Sequence, residues 1–296
     1  MALPDAIPTI VAQEMLRTLR RDLVYAMRTN SSWQVNAAVG DSIDIVPEPN
    51  VGIADYDPDS DDPIVYNKAI PGDKKTIALD QHKAFAVTLD DVRRRQAVPM
   101  LLEAGVRNGA RNLRETIDAF VRDRMAADQD RDFPDIGAAG TKIDLGAALT
   151  EEHQRTIKNT FKAAVARFTM ANVPMMGRWA IVGPAMKFAL TTLFEQGMLD
   201  DAVMGDTLRN GFAGRLYGLN IYEASNPPGA ANIEQTLFGN DYATAFALQI
   251  DQTETIRLES RFADGVRGLV TYGGTVIEPA SIAAVNLHYE GIPDVS

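Results

Sequence analysis

The sequence has no cysteine and three histidines (His82, His153 and His288) among its 296 residues. The missing thiols exclude disulfides, thiolate metal centres and cysteine nucleophiles together, and they fit a reducing compartment. Any imidazole chemistry would have to be sparse. Long apolar runs are also missing. Charge breaks each of them well short of the ~18–20 residues that a membrane helix needs. The start, Met1-Ala2-Leu3-Pro4-Asp5, has neither a cationic nor an apolar leader region, so no signal peptide is expected and the chain reads as cytosolic at synthesis. An excess of base is missing too. Lys and Arg total 29 against 40 Asp and Glu, a net charge of −11, which argues against a dedicated binder of DNA or anionic membrane. H-E-x-x-H, the P-loop, G-x-S-x-G and G-x-G-x-x-G are all absent.

What remains is ordinary globular material, 46% hydrophobic and 23% charged. It is long enough for a large core, near the size at which single cores begin to split. Residues 1–35 read as an arm. Ile10, Met15, Leu19, Leu23 and Met27 form one helical stripe, Pro8 suits its start and Asn30-Ser31-Ser32 its stop. A helix with one apolar stripe is not stable alone, so the arm must lie on something.

Gly40-Asp41 then opens an alternating strand, Ser42-Ile43-Asp44-Ile45-Val46-Pro47, and Thr76-Ile77-Ala78-Leu79 reads as a second, with Phe85-Ala86-Val87 just beyond. The polar stretch between them is too long for an ordinary connection and reads as a projecting two-stranded loop. Residues 88–128 read as mainly helical, with Thr88 and Asp90 as candidate N-caps. The stripe Val106, Ala110, Leu113, Ile117, Phe120/Val121 and Met125 predicts a helix from Met100 to Ala127, roughly 40 Å long at 1.5 Å per residue.

After a Gly/Ala/Asp-rich connection, Thr150-Glu151-Glu152 predicts a capped helix start, with Ile157, Phe161, Val165 and Phe168 as its stripe. Residues 177–182 read as a strand and Pro184 as the first residue of a helix through Phe194. Further strands are expected near 245–250, 255–261, 266–273 and 282–289. Charge is uneven. Residues 83–128 hold 9 basic and 7 acidic groups, whereas residues 1–82 hold 7 and 13.

Candidate chemistry is thin. Asp57, Asp59 and Asp61 alternate like the start of a calcium loop, but the sixth position is Asp62 and the twelfth is Lys68, where glycine and glutamate belong. A solvated acidic loop is the expectation. The pairs Asp90/Asp91, Glu151/Glu152 and Asp200/Asp201 cannot face one another on a helix. Gly211, Gly214 and Gly218 read as tight-turn residues. Asp90 and Asp91 offset much of the Arg93-Arg94-Arg95 charge, so that run suits subunit contacts or weak, sequence-blind phosphate contact rather than specific readout.

The order of arm, projecting acidic loop, long spine helix and mixed module resembles the major capsid (coat) proteins of tailed bacteriophages, the Hong Kong 97-type fold. The local matches are Gly40-Asp41-Ser42-Ile43-Asp44-Ile45; Leu79-Asp80-Gln81-His82-Lys83-Ala84-Phe85-Ala86-Val87 leading to Asp90-Asp91-Val92; Gly177-Arg178-Trp179-Ala180-Ile181-Val182-Gly183-Pro184; Leu208-Arg209-Asn210-Gly211 with Gly214-Arg215 and Tyr217-Gly218; Ser225-Asn226-Pro227; and Thr271-Tyr272-Gly273-Gly274. The resemblance implies an α+β chain. Its parts are an N-terminal arm (1–39), an extended β-hairpin loop (40–82), a peripheral domain with the spine helix (83–170), a mainly axial domain (171–265), and closing strands with the C-terminus (266–296).

It further implies a structural subunit that self-assembles into pentamers and hexamers of an icosahedral head around double-stranded DNA. The chain would be found in the virion, and in the host cytoplasm during assembly. Expected partners are further copies of the chain, separate scaffolding and portal proteins, decoration proteins, and packaged DNA touched non-specifically; no membrane is expected. No catalytic residue, cofactor or metal is expected. Candidate intersubunit contacts are Arg17, Arg21, Tyr56, Asp57, Asp59, Tyr66, Lys68, Arg93, Arg94 and Arg95. Lys68, Lys74 and Lys75 lie in the loop region, but no motif transfers the Lys–Asn cross-linking of some family members. The alternatives are an encapsulin-like nanocompartment shell, an oligomeric metabolic enzyme and a calcium-dependent binding module.

Overall fold

A computed structural model describes residues 23–32, 42–45, 75–90, 100–129, 131–137, 142–147, 149–195, 212–258 and 263–291. Two strands, β1 (Ser42–Ile45) and β2 (Lys75–Ala78), pair antiparallel with Ile43 opposite Ile77. Their alternation places Ile43, Ile45, Ile77 and Leu79 in a small core against Ala245 and Ala247. The strands expected near 42–47 and 76–79 are therefore present, as the seated base of the loop.

The longest helix, α1, runs from Met100 to Ala127 as its stripe predicts. Ala110, Leu113, Ile117, Val121 and Met125 are buried at spacings of three and four, and each large side chain among them contributes ~1.5–3 kcal/mol by leaving water. Ahead of it the structure corrects the sequence reading. Residues Gln81–Asp90 form strand β3, so Thr88 and Asp90 are strand residues and not helix caps. Long-range pairing decides this: β3 runs antiparallel to β11 (Ala263–Val276), with Val87 opposite Val266 and His82 opposite Thr271. Strand β10 (Thr244–Arg257) completes a three-stranded antiparallel sheet in the order β10-β11-β3. The two strands expected at 245–250 and 255–261 are one strand, whose register shifts between Ile250 and Gln252.

The second body is a sheet built from β4 (Arg131–Asp132), β5 (Ile143–Asp144), β6 (Arg178–Val182), β7 (Phe212–Leu216), β8 (Leu219–Glu223), β9 (Ile233–Asn240) and β12 (Ala283–Glu290), in the order β4-β12-β9-β6-β8-β7 with β5 also on β12. Helix α2 (Glu151–Met170) starts as expected, with the Thr150 hydroxyl accepting the His153 N–H, and α3 (Pro184–Glu195) starts at its proline. Along α2, Ile157, Phe161 and Phe168 are buried while Val165 is half-buried. The expected division at residue 170 falls at the end of α2, whose buried face shares a core with β6 and α3.

Every residue of β6 is buried because both faces of this sheet are covered. Ala180 and Val182 face the core under α2 and α3, while Trp179 and Ile181 face the core under α1. The sheet is thus a wall shared by two cores. The β7–β8 connection is a two-residue turn with Tyr217 at φ 50° and Gly218 at φ 90°, the left-handed pair that a tight hairpin requires. Gly211 lies outside the described residues.

Candidate functional site

The N-terminal segment shows how this chain fixes a piece that is not part of either body. The expected helical stripe does not continue through Leu23 and Met27, and its earlier positions, Ile10, Met15 and Leu19, lie outside the described residues. From Leu23 the chain makes one 3-10 turn, Ala26–Arg28, with Tyr25 buried and Met27 exposed. The first N–H groups of any helical turn lack partners within it. Here Asp118, on α1, accepts them: its carboxylate oxygens lie 2.9 Å from the nitrogen of Tyr25, 3.1 Å from that of Ala26 and 3.4 Å from that of Val24. Burial pushes the Asp118 carboxyl above its usual range, and these three N–H donors pull the other way. Burial also raises the Tyr25 phenol.

The strap then crosses to the other elements. The Arg28 guanidinium donates to the Tyr222 hydroxyl at 2.9 Å, lies 4.5 Å from the centre of that ring and stands 3.8 Å from Asp241. The Asn30 N–H donates to the Thr244 carbonyl at 2.8 Å, and Asn30 bridges in parallel to Ala245. Residues 23–32 therefore join α1, β8 and the first residues of β10. Of the proposed contacts, Arg17 and Arg21 precede this strap and lie outside the described residues.

The base of the loop is seated equally closely. A Cβ on Gly273 of β11 would run into the Ala78 carbonyl, so only glycine lets β2 approach this strand. Beyond the base, residues 46–74 lie outside the described residues, and with them Tyr56, Asp57, Asp59, Tyr66 and Lys68; so do Arg93, Arg94 and Arg95. None of the ten expected contact residues is among those described. Lys75 is the first residue of β2, opposite Ile45. Among the described residues, no three potential ligands come together as a metal site, and the acidic loop is not among them.

An open groove of about 610 Å3 lies between α1 and the β3–β11 edge. Phe120 and Tyr272 form an edge-to-face pair with centroids 5.2 Å apart, and Gln81, Lys83, Glu115 and Asp123 stand around it. Phe120 is half-buried and lines this groove, unlike Ile117 beside it. Small-molecule sites enclose most of their ligand; this groove is open and suits surface contact.

The three histidines occupy structural positions. His82 Nδ1 lies 3.0 Å from the Thr271 hydroxyl, His153 gives its main-chain N–H to the α2 cap, and His288 Nε2 lies 2.9 Å from an Asp135 carboxylate oxygen. The buried carboxylate of Glu234 accepts the N–H groups of Ala185 at 2.8 Å and Met186 at 3.0 Å, at the positive end of α3. Burial raises this carboxyl while those donors lower it. No sequence signal marks Asp118 or Glu234, because each serves an element far away in the chain.

A long helix on a three-stranded sheet, a second α/β body and a seated two-stranded loop base define the class: this is a viral shell protein with the Hong Kong 97-type capsid fold. The family model described as phage capsid protein matches residues 72–285, and the chain belongs to that family. It is a structural protein, the major capsid protein of a tailed phage, and it assembles into the oligomers of a virion shell. Among solved structures it is similar to a chain of Mycobacterium phage Che8, at 25% identity and a TM-score of 0.68, over 89% of this chain and 91% of that one. It is also similar to the capsid of Ralstonia phage GP4, at 10% identity and a TM-score of 0.64, over 93% of each chain. A third likeness is to the capsid of cyanophage P-SCSP1u, at 15% identity and a TM-score of 0.57, over 89% of this chain and 86% of that one. Comparison with curated protein sequences gives no match. The matched family favours a phage shell over a nanocompartment shell.

Proposed function

We propose that copies of this chain form the pentamers and hexamers of an icosahedral head that encloses double-stranded DNA, and that the chain performs no catalytic step. The arm (1–39) and the extended loop (40–82) reach neighbouring copies. The spine-helix body lies toward the capsomer edges and the α/β body toward its axis. The observation that carries this reading is the strap: the arm is fastened to α1 and β10 by Asp118 and Asn30. A fastened root is what an arm needs if it is to pull on a neighbour. Separate scaffolding, portal and decoration proteins act with the subunit during assembly in the host cytoplasm, and the acidic chain touches its packaged DNA weakly and without sequence preference.

Electron microscopy of the purified full chain tests this. Closed polyhedral particles or five- and six-membered rings are the expected result. A monomer that yields neither at any salt or concentration overturns it.

A further inference from the structure

One end of the seven-stranded sheet carries large apolar side chains open to solvent, with Asp241 and Lys162 as the charged groups beside them. Trp179 pairs with Asn220 and Arg178 with Asn240, so the start of β6, the Tyr217–Gly218 turn and the turn after β9 all lie at that end. Helix α2 ends there too. The side chains exposed at this end are large: Met170 is 86% exposed, Met176 84%, Met175 74%, Tyr242 59% and Tyr217 39%. Residues 169–177 and 216–219 hold no charged side chain, in a chain with 69 charged residues.

The turn that carries the three methionines is braced. The buried Arg178 guanidinium donates to the carbonyl of Val173 at 2.6 Å, the carbonyl of Pro174 at 3.0 Å and the hydroxyl of Thr169 at 3.1 Å. The Asn240 side-chain amide donates to the carbonyls of Pro174 and Met176. Four hydrogen bonds thus hold the backbone carbonyls of this turn, and a fifth holds the Thr169 hydroxyl, while its methionines face water. A preorganised turn loses little entropy on contact, and thioether side chains repack against differing surfaces at low cost.

We propose that this methionine rim is a contact surface for a neighbouring copy of this chain within the shell, a reading that rests on the assembly proposed above. Charge argues for that occupant. Each copy carries a net charge of −11, so two copies repel over most of their surfaces and approach best where charge is sparse; here Asp241 stands 3.8 Å from Arg28 and Lys162 lies against the Tyr217 ring. Scale agrees as well. A patch of this size, on the order of several hundred Å2, is at the upper end for a lone soluble chain, and it supplies about half of one partner's share of a standard interface. The methionines let one rim serve neighbours that meet it at slightly different angles.

The test is oxidation of the full-length chain by hydrogen peroxide, in which one oxygen atom passes to each thioether sulfur and leaves water. It is read by peptide mass spectrometry on free subunits and on shells of this chain alone, with buried Met125 and Met186 as internal controls. Met170, Met175 and Met176 are expected to oxidise readily in free subunits and about tenfold more slowly in shells. Equal rates in both states overturn the proposal, and so does protection that appears only when a second protein coats the shell. The double variant Met175→Gln with Met176→Gln is expected to keep the melting temperature of the parent and lose most particle yield; full yield overturns the proposal. A chain that forms no shell under any condition overturns the assembly reading itself, and this one with it.

Discussion

Tyr25 gives its main-chain N–H to the carboxylate of Asp118 at 2.9 Å, across 93 residues of sequence. The same carboxylate holds the N–H groups of Val24 and Ala26, so removing it strands three donors. Asp118→Ala is expected to cost about 3 kcal/mol, since each unmet buried donor carries a penalty of ~1–3 kcal/mol. Urea unfolding reads this loss, and limited proteolysis should cut the variant between 23 and 32 first. An unchanged midpoint and cleavage pattern would mean that the strap is held by Arg28 and Asn30 alone.

A pH dependence follows from Asp118 and Glu234, both raised by burial. Between its ordinary and its raised value, a buried carboxyl binds more protons folded than unfolded. Its contribution to stability therefore grows as pH falls and is lost as pH rises through the folded value. Thermal melts from about pH 8 to about pH 5 should show the parent gaining on the double variant Asp118→Asn with Glu234→Gln as the pH drops. A parent that loses stability relative to the variant on acidification would reverse the sign assigned here.

Ile117 and Phe120 sit on the same helix but face different surroundings. Ile117→Asp places an unpaired carboxylate in the closed core between α1 and the shared sheet and should abolish soluble, folded protein. Phe120→Asp opens onto the groove beside Tyr272 and should leave a folded chain with a lowered melting point. Comparable soluble yields for the two variants would contradict these placements.

Gly273→Ala drives a methyl group into the Ala78 carbonyl. The damage is local to the loop base, so the expected result is a folded subunit with near-native far-ultraviolet dichroism, faster amide exchange in β1 and β2, and reduced particle yield. Native exchange rates in 42–45 and 75–78 would show that β11 yields instead.

Deletion of residues 50–70 should leave folded subunits that assemble poorly, because β1 and β2 make their own small core on Ala245 and Ala247 below the cut. Circular dichroism and sedimentation velocity separate the two effects. Loss of folding would place the deleted stretch in the core.

Local signals carried much of the fold. The α1 stripe was legible because its described buried side chains, from Ala110 to Met125, recur on one face, and α2 and α3 announced their starts with Thr150 and Pro184. Strand β9 went unseen because most of Ile233–Asn240 is buried on both faces, which erases the alternation that marks a strand. Thr88 and Asp90 misled for the opposite reason: they are good cap residues locally, and pairing with residues more than 170 positions later overrode them. The proposed contact surface left no local signal. The methionine rim is drawn from three separate turns, and nothing in the order of residues says that they meet.

The wall formed by β6 and its neighbours has a mechanical consequence. Two bodies that share one sheet cannot slide or swivel across it without uncovering Trp179 on one side or Ala180 on the other. The centre of the subunit is thus stiff, and bending is left to what extends beyond it: the β1–β2 base and the ribbon of β10 and β11 past the register shift at Ile250/Gln252. A closed surface tiled from one kind of piece needs some compliance, and this chain keeps it at the edges.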